Sequence, residues 1–392
     1  MEANKAKRYL LISPQAWGKM FVSKHHYAIA LAANANNVYF LQPPVRSNSI
    51  FSKIEVKAII EYEGICLITY HIPSFIYKLR FHFRPIYDLY ISSVIFPKLN
   101  KLGFFDEIWC FETNAYSSLK GLHSRRKLLF VVDQPTGENS LNLTSSVDAI
   151  ASISDIILES YQNEGKESIL LNHGLGEMFA EVSSKKILGN GYIKGSPIKV
   201  GYIGNLLIGE VLDRIILKKI IENSSEIEFH FWGTYEVNNS NIGVSMLPEV
   251  EQFIMFLKSR TNVKLHGAIE PNKLVFEMQN VDAFLIAYAA NKDVNRGSNS
   301  HKIIECLSTG KVVISSHIST YLKFPGILQM VDEQSNERLP LLFKQVIGNL
   351  EEFNRADNAN LRIQFSLDNT YKRNITKIEN FLKNVIESKE EN

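Results

Sequence analysis

Lys302 and Glu305 stand three residues apart in the string Ser298-Asn299-Ser300-His301-Lys302-Ile303-Ile304-Glu305-Cys306-Leu307-Ser308-Thr309-Gly310-Lys311, which runs into the apolar Val312-Val313-Ile314. At that spacing two side chains leave a helix on the same side. A lysine beside the free N–H groups of a helix start suits a diphosphate, and a carboxylate one turn on can accept from ribose hydroxyls. Asn299 and Ser300 are N-cap residue types, and Gly310 falls where a helix ends in a left-handed turn. Ile303, Ile304 and Leu307 share the other face and are expected to pack on a sheet. An ordinary amphipathic helix with a solvated Lys–Glu pair would use the same residues. The polar loop before this helix, 291–300, follows the apolar strand 281–287, and open α/β sheets hold ligands at such strand ends.

The chain around the string alternates strands with helices. Tyr9-Leu10-Leu11-Ile12-Ser13 reads as a buried strand ending at Pro14, a helix follows over 27–34, and Val38-Tyr39-Phe40-Leu41 is a second strand. Strand, loop, helix and strand in that length form a βαβ unit and predict a parallel sheet. The loop after the first strand carries His25 and His26, which suit a catalytic base or acceptor contacts, and equally suit packing or solvation at a helix start. Further strands read over 65–70, 107–111 and 127–132, then a helix over 141–152 and a strand over 155–160. Between 73 and 105, Phe75, Tyr77, Phe81, Phe83, Tyr87 and Phe96 interleave with Lys78, Arg80, Arg84, Lys98 and Lys101. Such a stretch either rests on an anionic membrane surface or packs on the sheet with its basic stems snorkelling.

Residues 183–196, rich in Ser, Lys and Gly, have linker composition, and the pattern then restarts. Strands read over 198–203, 226–232, 262–267, 281–287, 311–315 and 327–331, with helices over 209–222, from Pro271, and over 300–309. Gly204 stands directly after the first of these strands, with Asn205 in the turn, where backbone must approach a phosphate. From 337 the pattern is helical, ending in a helix over 365–386.

Bulk properties narrow the class. The 392 residues are 45% hydrophobic and 21% charged, ample for two cores. Forty-three Lys and Arg against forty-one Asp and Glu argue against nucleic acid as a partner. Cys66, Cys110 and Cys306 are too few and too scattered for a disulfide framework or a Cys-x-x-Cys metal site, which fits a reducing cytoplasm. The first residues lead straight into a strand rather than a signal-peptide core, and no apolar run is long enough to span a bilayer.

The string Lys302, Glu305, Leu307, Gly310 and Lys311 before a Val-rich strand resembles the nucleotide-sugar motif of GT-B glycosyltransferases, of the bacterial group 1, family 4-like kind that builds polysaccharide or capsule. The opening is similar too: Trp17-Gly18, Ser23-Lys24-His25-His26, then Pro43-Pro44 after the second strand. So are Asp133 after the strand at 127–132, the segment Asn172-His173-Gly174 with Phe179, and the strand ends Trp232-Gly233 and His266-Gly267. Gly176 stands where the family usually has aspartate, and Gly297 where many retaining members carry a second glutamate. The resemblance spans nearly the whole chain.

It implies an α/β GT-B fold: two Rossmann-like domains facing across a cleft, with a C-terminal helix crossing back to the first. The implied boundaries are 1–182 for an acceptor domain, 183–197 for a linker, 198–355 for a nucleotide-sugar domain, and 356–392 for helices returning to the first domain. The implied activity is transfer of a sugar from a nucleotide-sugar to a glycan or lipid-linked acceptor, in the cytoplasm and in peripheral contact with the inner membrane face. The donor would be held by Gly204, Asn205, Gly233, His266, Gly267, Arg296, Asn299, Ser300, Lys302 and Glu305, with Lys292 near the diphosphate. Asp133, His25 and His173 are the candidates for the base. No Asp-x-Asp appears, so no metal or other cofactor is expected, and Lys302 would offset the diphosphate instead. A GT-B epimerase of nucleotide sugars and a catalytically silent GT-B subunit are the rivals. A dehydrogenase is disfavoured because no Gly-x-Gly-x-x-Gly opens either half.

Overall fold

The computed structural model describes residues 6–18, 21–134, 138–186, 192–236, 247–289, 292, 299–332 and 335–390. In the first half the elements are β1 (Arg8–Ile12), α1 (Ser23–Ala33), β2 (Asn37–Leu41), β3 (Val45–Ser47), β4 (Lys53–Ala58), β5 (Ile65–Pro73), α2 (Ser74–His82), α3 (Arg84–Tyr90), α4 (Phe96–Asn100), β6 (Phe105–Cys110), β7 (Ser124–Val131), α5 (Glu138–Thr144), β8 (Ala149–Ser152), α6 (Asp155–Glu159) and β9 (Glu167–Leu170). The second half contains α7 (Glu177–Ser184), β10 (Ile198–Ile203), α8 (Arg214–Glu222), β11 (Ile227–Trp232), α9 (Pro248–Ser259), β12 (Val263–Gly267), α10 (Pro271–Glu277), β13 (Ala283–Ile286) and α11 (His301–Leu307). It closes with β14 (Val312–Ser315), β15 (Gln329–Met330), α12 (Leu339–Gly348), α13 (Leu350–Phe353), α14 (Ala356–Leu367) and α15 (Tyr371–Glu390).

Two compact units divide the chain: Met1–Asn172 with Tyr371–Asn392, and His173–Thr370. The second unit therefore takes in α7 and α14, and only α15 returns to the first. The first unit's sheet runs β3-β5-β2-β1-β6-β7-β8-β9, all parallel except for β4, which pairs antiparallel with β5. Successive residues of its central strands point to opposite faces, and both faces are buried. Leu10, Ile12, Ile108, Leu129 and Val131 pack on one side with Tyr116 and Phe96. Tyr9, Leu11, Trp109, Leu128 and Phe130 pack on the other with α1 and α15. This double burial explains why the strands read as unbroken apolar runs. Tyr371, Ile375, Ile378, Leu382 and Val385 form one buried stripe at helical spacing, which ties α15 to this sheet. Asn374, fully buried in that stripe, donates to the Asn172 carbonyl at 2.9 Å.

The second unit's sheet runs β12-β11-β10-β13-β14-β15, all parallel. Its core includes Val200, Tyr202, Phe229, Phe231, Phe284, Ile286 and Val313, covered by Leu217, Ile220, Phe253, Ile303 and Leu307 from the helices. In each sheet the order steps outward from β1 or β10 in both directions, so a switch point lies at the carboxyl end of that strand.

Three elements differ from the sequence expectation. The helix expected to 152 stops at Thr144, and Ala149–Ser152 is a strand paired between β7 and β9. The strand expected over 155–160 is instead α6, opened by Ser154 and acidic in its first turn at Asp155. Short apolar runs carry no period that separates the two forms, and the gap between β7 and β9 decided it. The terminal helix is two helices, α14 and α15, broken where the Asn369 carbonyl accepts from the Leu175 N–H at 2.8 Å.

The strand ends of the second unit are unusually tight. Gly204 N–H donates to the Trp232 carbonyl (2.9 Å) and Gly233 N–H to the Gly267 carbonyl (2.8 Å). Gly233 has φ +147°, and a Cβ placed there would lie 1.8 Å from the Gly204 carbonyl oxygen. Gly233→Ala is expected to cost about 3 kcal/mol or more of stability in urea unfolding, through strain and backbone displacement. Gly209→Ala, where a Cβ meets nothing within 4 Å, is expected to change stability by less than about 0.5 kcal/mol.

Candidate active site

The helix α11 is built as its residue types demand. Ser300 is the N-cap, its Oγ accepting from the Lys302 N–H at 3.3 Å. Ile303, Ile304, Cys306 and Leu307 are buried against β13 and β14, and Gly310 turns the chain with φ +76°. Lys302 Nζ donates to Glu305 Oε2 at 3.0 Å, with side-chain exposures of 25% and 15%. The pair is half-sheltered and satisfied within the chain.

Asn299 and His173 hold the start of this helix. Both are buried, and His173 Nε2–H donates to the Asn299 carbonyl at 2.5 Å. Burial pushes the His173 imidazole down to about 4, with the Asn299 carbonyl opposing. His173 is therefore neutral at physiological pH, with its donor proton fixed on Nε2.

A second group of residues lies at the ends of β10, β11 and β12. Gly204, Gly233 and Gly267 form the tight backbone described above, and Asn205 Oδ1 accepts from the Leu207 N–H at 2.9 Å to shape the following turn. His266 is exposed, and its ring lies flat on Trp232 (4.9 Å between centroids, 11° between planes). His266 Nε2 pairs with His230 Nδ1 at 2.9 Å, and His230 Nε2–H donates to Glu228 at 2.6 Å.

The loop after β10 ties the second group to the chain that leaves β13. Asp213 N–H donates to the Ala287 carbonyl and Ala289 N–H to the Val211 carbonyl, so this loop is zipped to the chain leaving β13. Arg214 fixes the loop from beneath. Its buried guanidinium donates to the carbonyls of Gly209 (2.7 Å), Leu206 (3.2 Å) and Ile208. Sequence reasoning missed this residue, because an arginine at a helix start carries no sign of which carbonyls it will reach. Lys292 is a surface group 3.9 Å from Glu210, and Arg296, with Asn295 and Gly297, lies outside the described residues.

The first unit holds the other two catalytic candidates. His25 is buried on α1 and sandwiched between Phe21 and Phe40. Its Nδ1 accepts from the Val22 N–H at 3.1 Å and its Nε2–H donates to the Ala16 carbonyl at 3.2 Å. Burial lowers its pKa, and both nitrogens are used inside the chain, which is the geometry of a packing histidine. Asp133, exposed after β7, makes no hydrogen bond or ion pair among the described residues. Lys24, also missed by the sequence reasoning, is buried at the start of α1. Burial lowers its pKa, while the charges of Asp133 and Glu112 oppose that shift. Among the described residues no group of three or more His, Cys, Asp or Glu is arranged to hold a metal ion.

No family model and no curated protein matches the chain. Solved structures do. The structure described as trehalose-6-phosphate from E. coli bound with UDP-2-fluoro glucose aligns with 95% of this chain and 98% of its own, at 10% identity and a TM-score of 0.66. An α,α-trehalose-phosphate synthase (UDP-forming) from Burkholderia xenovorans in complex with glucose-6-phosphate aligns with 97% and 100%, at 10% identity and 0.69. The α,α-trehalose 6-phosphate synthase from Burkholderia multivorans aligns with 98% of each chain, at 9% identity and 0.67. At such identities the likeness defines the fold: the chain has the GT-B fold of two Rossmann-like domains.

His173 makes a pH dependence that can be checked. Its folded pKa, about 4, lies below the usual 6.5. The unfolded chain therefore binds more protons between those values, and stability falls as pH drops from 6.5 to 4. The expected loss from this group is roughly 3 kcal/mol. His173→Gln, which keeps a donor for the Asn299 carbonyl, is expected to flatten this part of the urea-unfolding profile.

Proposed function

We propose that the chain is a glycosyltransferase that moves a sugar from a nucleotide-sugar to an acceptor hydroxyl without a metal ion. The observation that carries this reading is the Lys302–Glu305 pair on a Ser300-capped helix, in the same unit as the glycine-tight end of β10, whose 205–213 loop is zipped to the chain leaving β13. On donor binding the Lys302 ammonium turns from Glu305 to the diphosphate, and Glu305 accepts from the ribose hydroxyls. Gly204 and Gly233 let the backbone come close to the phosphates. In the transfer the acceptor oxygen bonds to the anomeric carbon, the carbon–oxygen bond to the diphosphate breaks, and the acceptor proton leaves to a base. Asp133 is the preferred base, since it is exposed and makes no hydrogen bond or ion pair among the described residues, while both nitrogens of His25 are occupied. The neutral, Asn299-bound His173 is assigned to positioning the start of α11. UDP appears in the descriptions of the similar structures, which supports a uridine donor.

The acceptor is proposed to be lipid-linked, in surface polysaccharide assembly at the cytoplasmic membrane face. No helix among the described residues is long and apolar enough to cross a membrane. The first unit nevertheless exposes Phe75 (59%), Phe81 (65%), Phe83 (61%) and Leu89 (66%) on α2, α3 and their junction, beside Lys78 and Arg80. Rings and cations together suit the interface of an anionic bilayer. The rival acceptor is a soluble sugar phosphate, favoured by the glucose-6-phosphate named with one similar structure.

Two measurements test these readings. UDP at roughly ten times its Kd is expected to raise the melting temperature by about 3 °C, with GDP, CMP and dTDP weaker. The rise should vanish in Glu305→Ala, whereas no shift with any of the four nucleotides would remove the donor site. Binding to vesicles of anionic lipid, read by co-sedimentation, should fall about tenfold in the double substitution Phe83→Ser with Leu89→Ser. Equal binding by both proteins, or none, would leave the sugar phosphate as acceptor.

A further inference from the structure

At the opposite end of the second unit's sheet, where the strands begin, two lysines converge that form no ion pair among the described residues. Lys311 immediately precedes β14, and Lys186 follows α7. With Tyr192, Asn354, Asn360 and Ile363 they line a cleft of about 400 Å³. The walls are held firmly. Arg362, buried, clasps the Gly310 carbonyl through Nε (3.1 Å) and a terminal nitrogen (2.9 Å), and reaches the Phe353 carbonyl at 2.7 Å. Tyr192 Oη donates to Asp282 at 2.8 Å.

The charges do not balance. The Asp282 carboxylate lies nearby, and its oxygens already accept from Tyr192, the Gly195 N–H (3.2 Å) and the Lys199 N–H (2.8 Å); the charge of Glu351 also reaches Tyr192. Lys186 Nζ has only a long contact, 3.4 Å, with the Thr309 carbonyl. Lys311 Nζ lies 4.7 Å above the Tyr192 ring. Neither amine forms an ion pair among the described residues. Burial, with Lys311 adding to it, lowers Lys186 to about 8, and burial lowers Lys311 against the pull of Asp282. Two half-buried cations that share a cleft and lack an ion pair of their own are unfavourable alone and favourable around an anion.

We propose that this cleft is a binding site for a small phosphate-bearing anion. Lys186 and Lys311 share the phosphate charge, Asn360 offers a further donor, and Tyr192 with Ile363 provides a wall for the organic part. The volume lies in the range of small-molecule pockets. Because the cleft is at the strand beginnings, it is distinct from the proposed donor site, and the assignment stands whether or not the glycosyltransferase reading does.

The test uses inorganic phosphate, with sodium chloride at matched ionic strength as reference, followed by calorimetry and thermal unfolding. Phosphate is expected to bind wild type and Lys302→Met alike, and about tenfold more weakly in Lys186→Met and in Lys311→Met. Loss in Lys302→Met alone would move the phosphate to the donor site. Equal effects of chloride, or equal phosphate affinity in all four proteins, would overturn the assignment. Should the lysine variants fail to fold, wild type decides by the rate of reductive methylation of Lys186, read by mass spectrometry. Phosphate should slow that rate several-fold, and an unchanged rate would end the proposal.

Discussion

The Gly204 carbonyl occupies the place that any side chain at Gly233 would need, and the carboxyl end of the second unit's sheet depends on that closeness. It lets β10 and β11 finish side by side and sends the chain into the 205–213 loop. Three backbone carbonyls of that loop are then gathered by one buried guanidinium, Arg214, and its far end is zipped to the segment leaving β13. The start of α11 is fixed separately, by Ser300 from within and by His173 on the Asn299 carbonyl. Backbone and short polar side chains set the geometry here, leaving the long charged side chains of Lys302 and Glu305 free to change partner.

Burial sorts the ionisable groups into different tasks. Burial disfavours the charged forms of His25 and His173, and each donates from Nε2 to a backbone carbonyl. Arg214 and Arg362 retain charge because each is surrounded by carbonyl oxygens, which satisfy a guanidinium without a carboxylate. Lys24 is buried and Lys186 and Lys311 half-buried without such a cage, and at each of them burial is the main cause of a lowered pKa.

Much of this was legible in the residues. The apolar runs at 9–13, 38–41, 198–203 and 281–287 are strands whose burial on both faces removes alternation, and the loop and helix signals that flank them set them apart. Ser300 and Gly310 marked their helix from both sides, one by its side-chain oxygen and the other by its missing Cβ. Residues 145–160 misled because runs of four or five apolar residues fit strand or helix, and only pairing with β7 and β9 decides. The candidates at Lys302 and Glu305 follow from local spacing. The buried setting of His25 and the reach of Lys24 and Arg214 depend on contacts distant in sequence, which no local pattern encodes. Asp133 stood out only through resemblance to a family, and its exposure and its charge beside the buried Lys24 emerged with the coordinates.

The return of α15 to the first sheet has a consequence for how the protein is made. The second unit is one uninterrupted stretch, 173–370, and can close as soon as it clears the ribosome. The first unit begins synthesis earlier yet stays unfinished, with Tyr9, Leu11, Trp109 and Phe130 covered by α1 alone until the stripe from Tyr371 to Val385 emerges. The half made first is thus completed last, and during translation its half-covered aromatic face is the surface most exposed to aggregation and to chaperones. A ribosome that stalls near residue 370 would release a finished second unit attached to an unfinished first one.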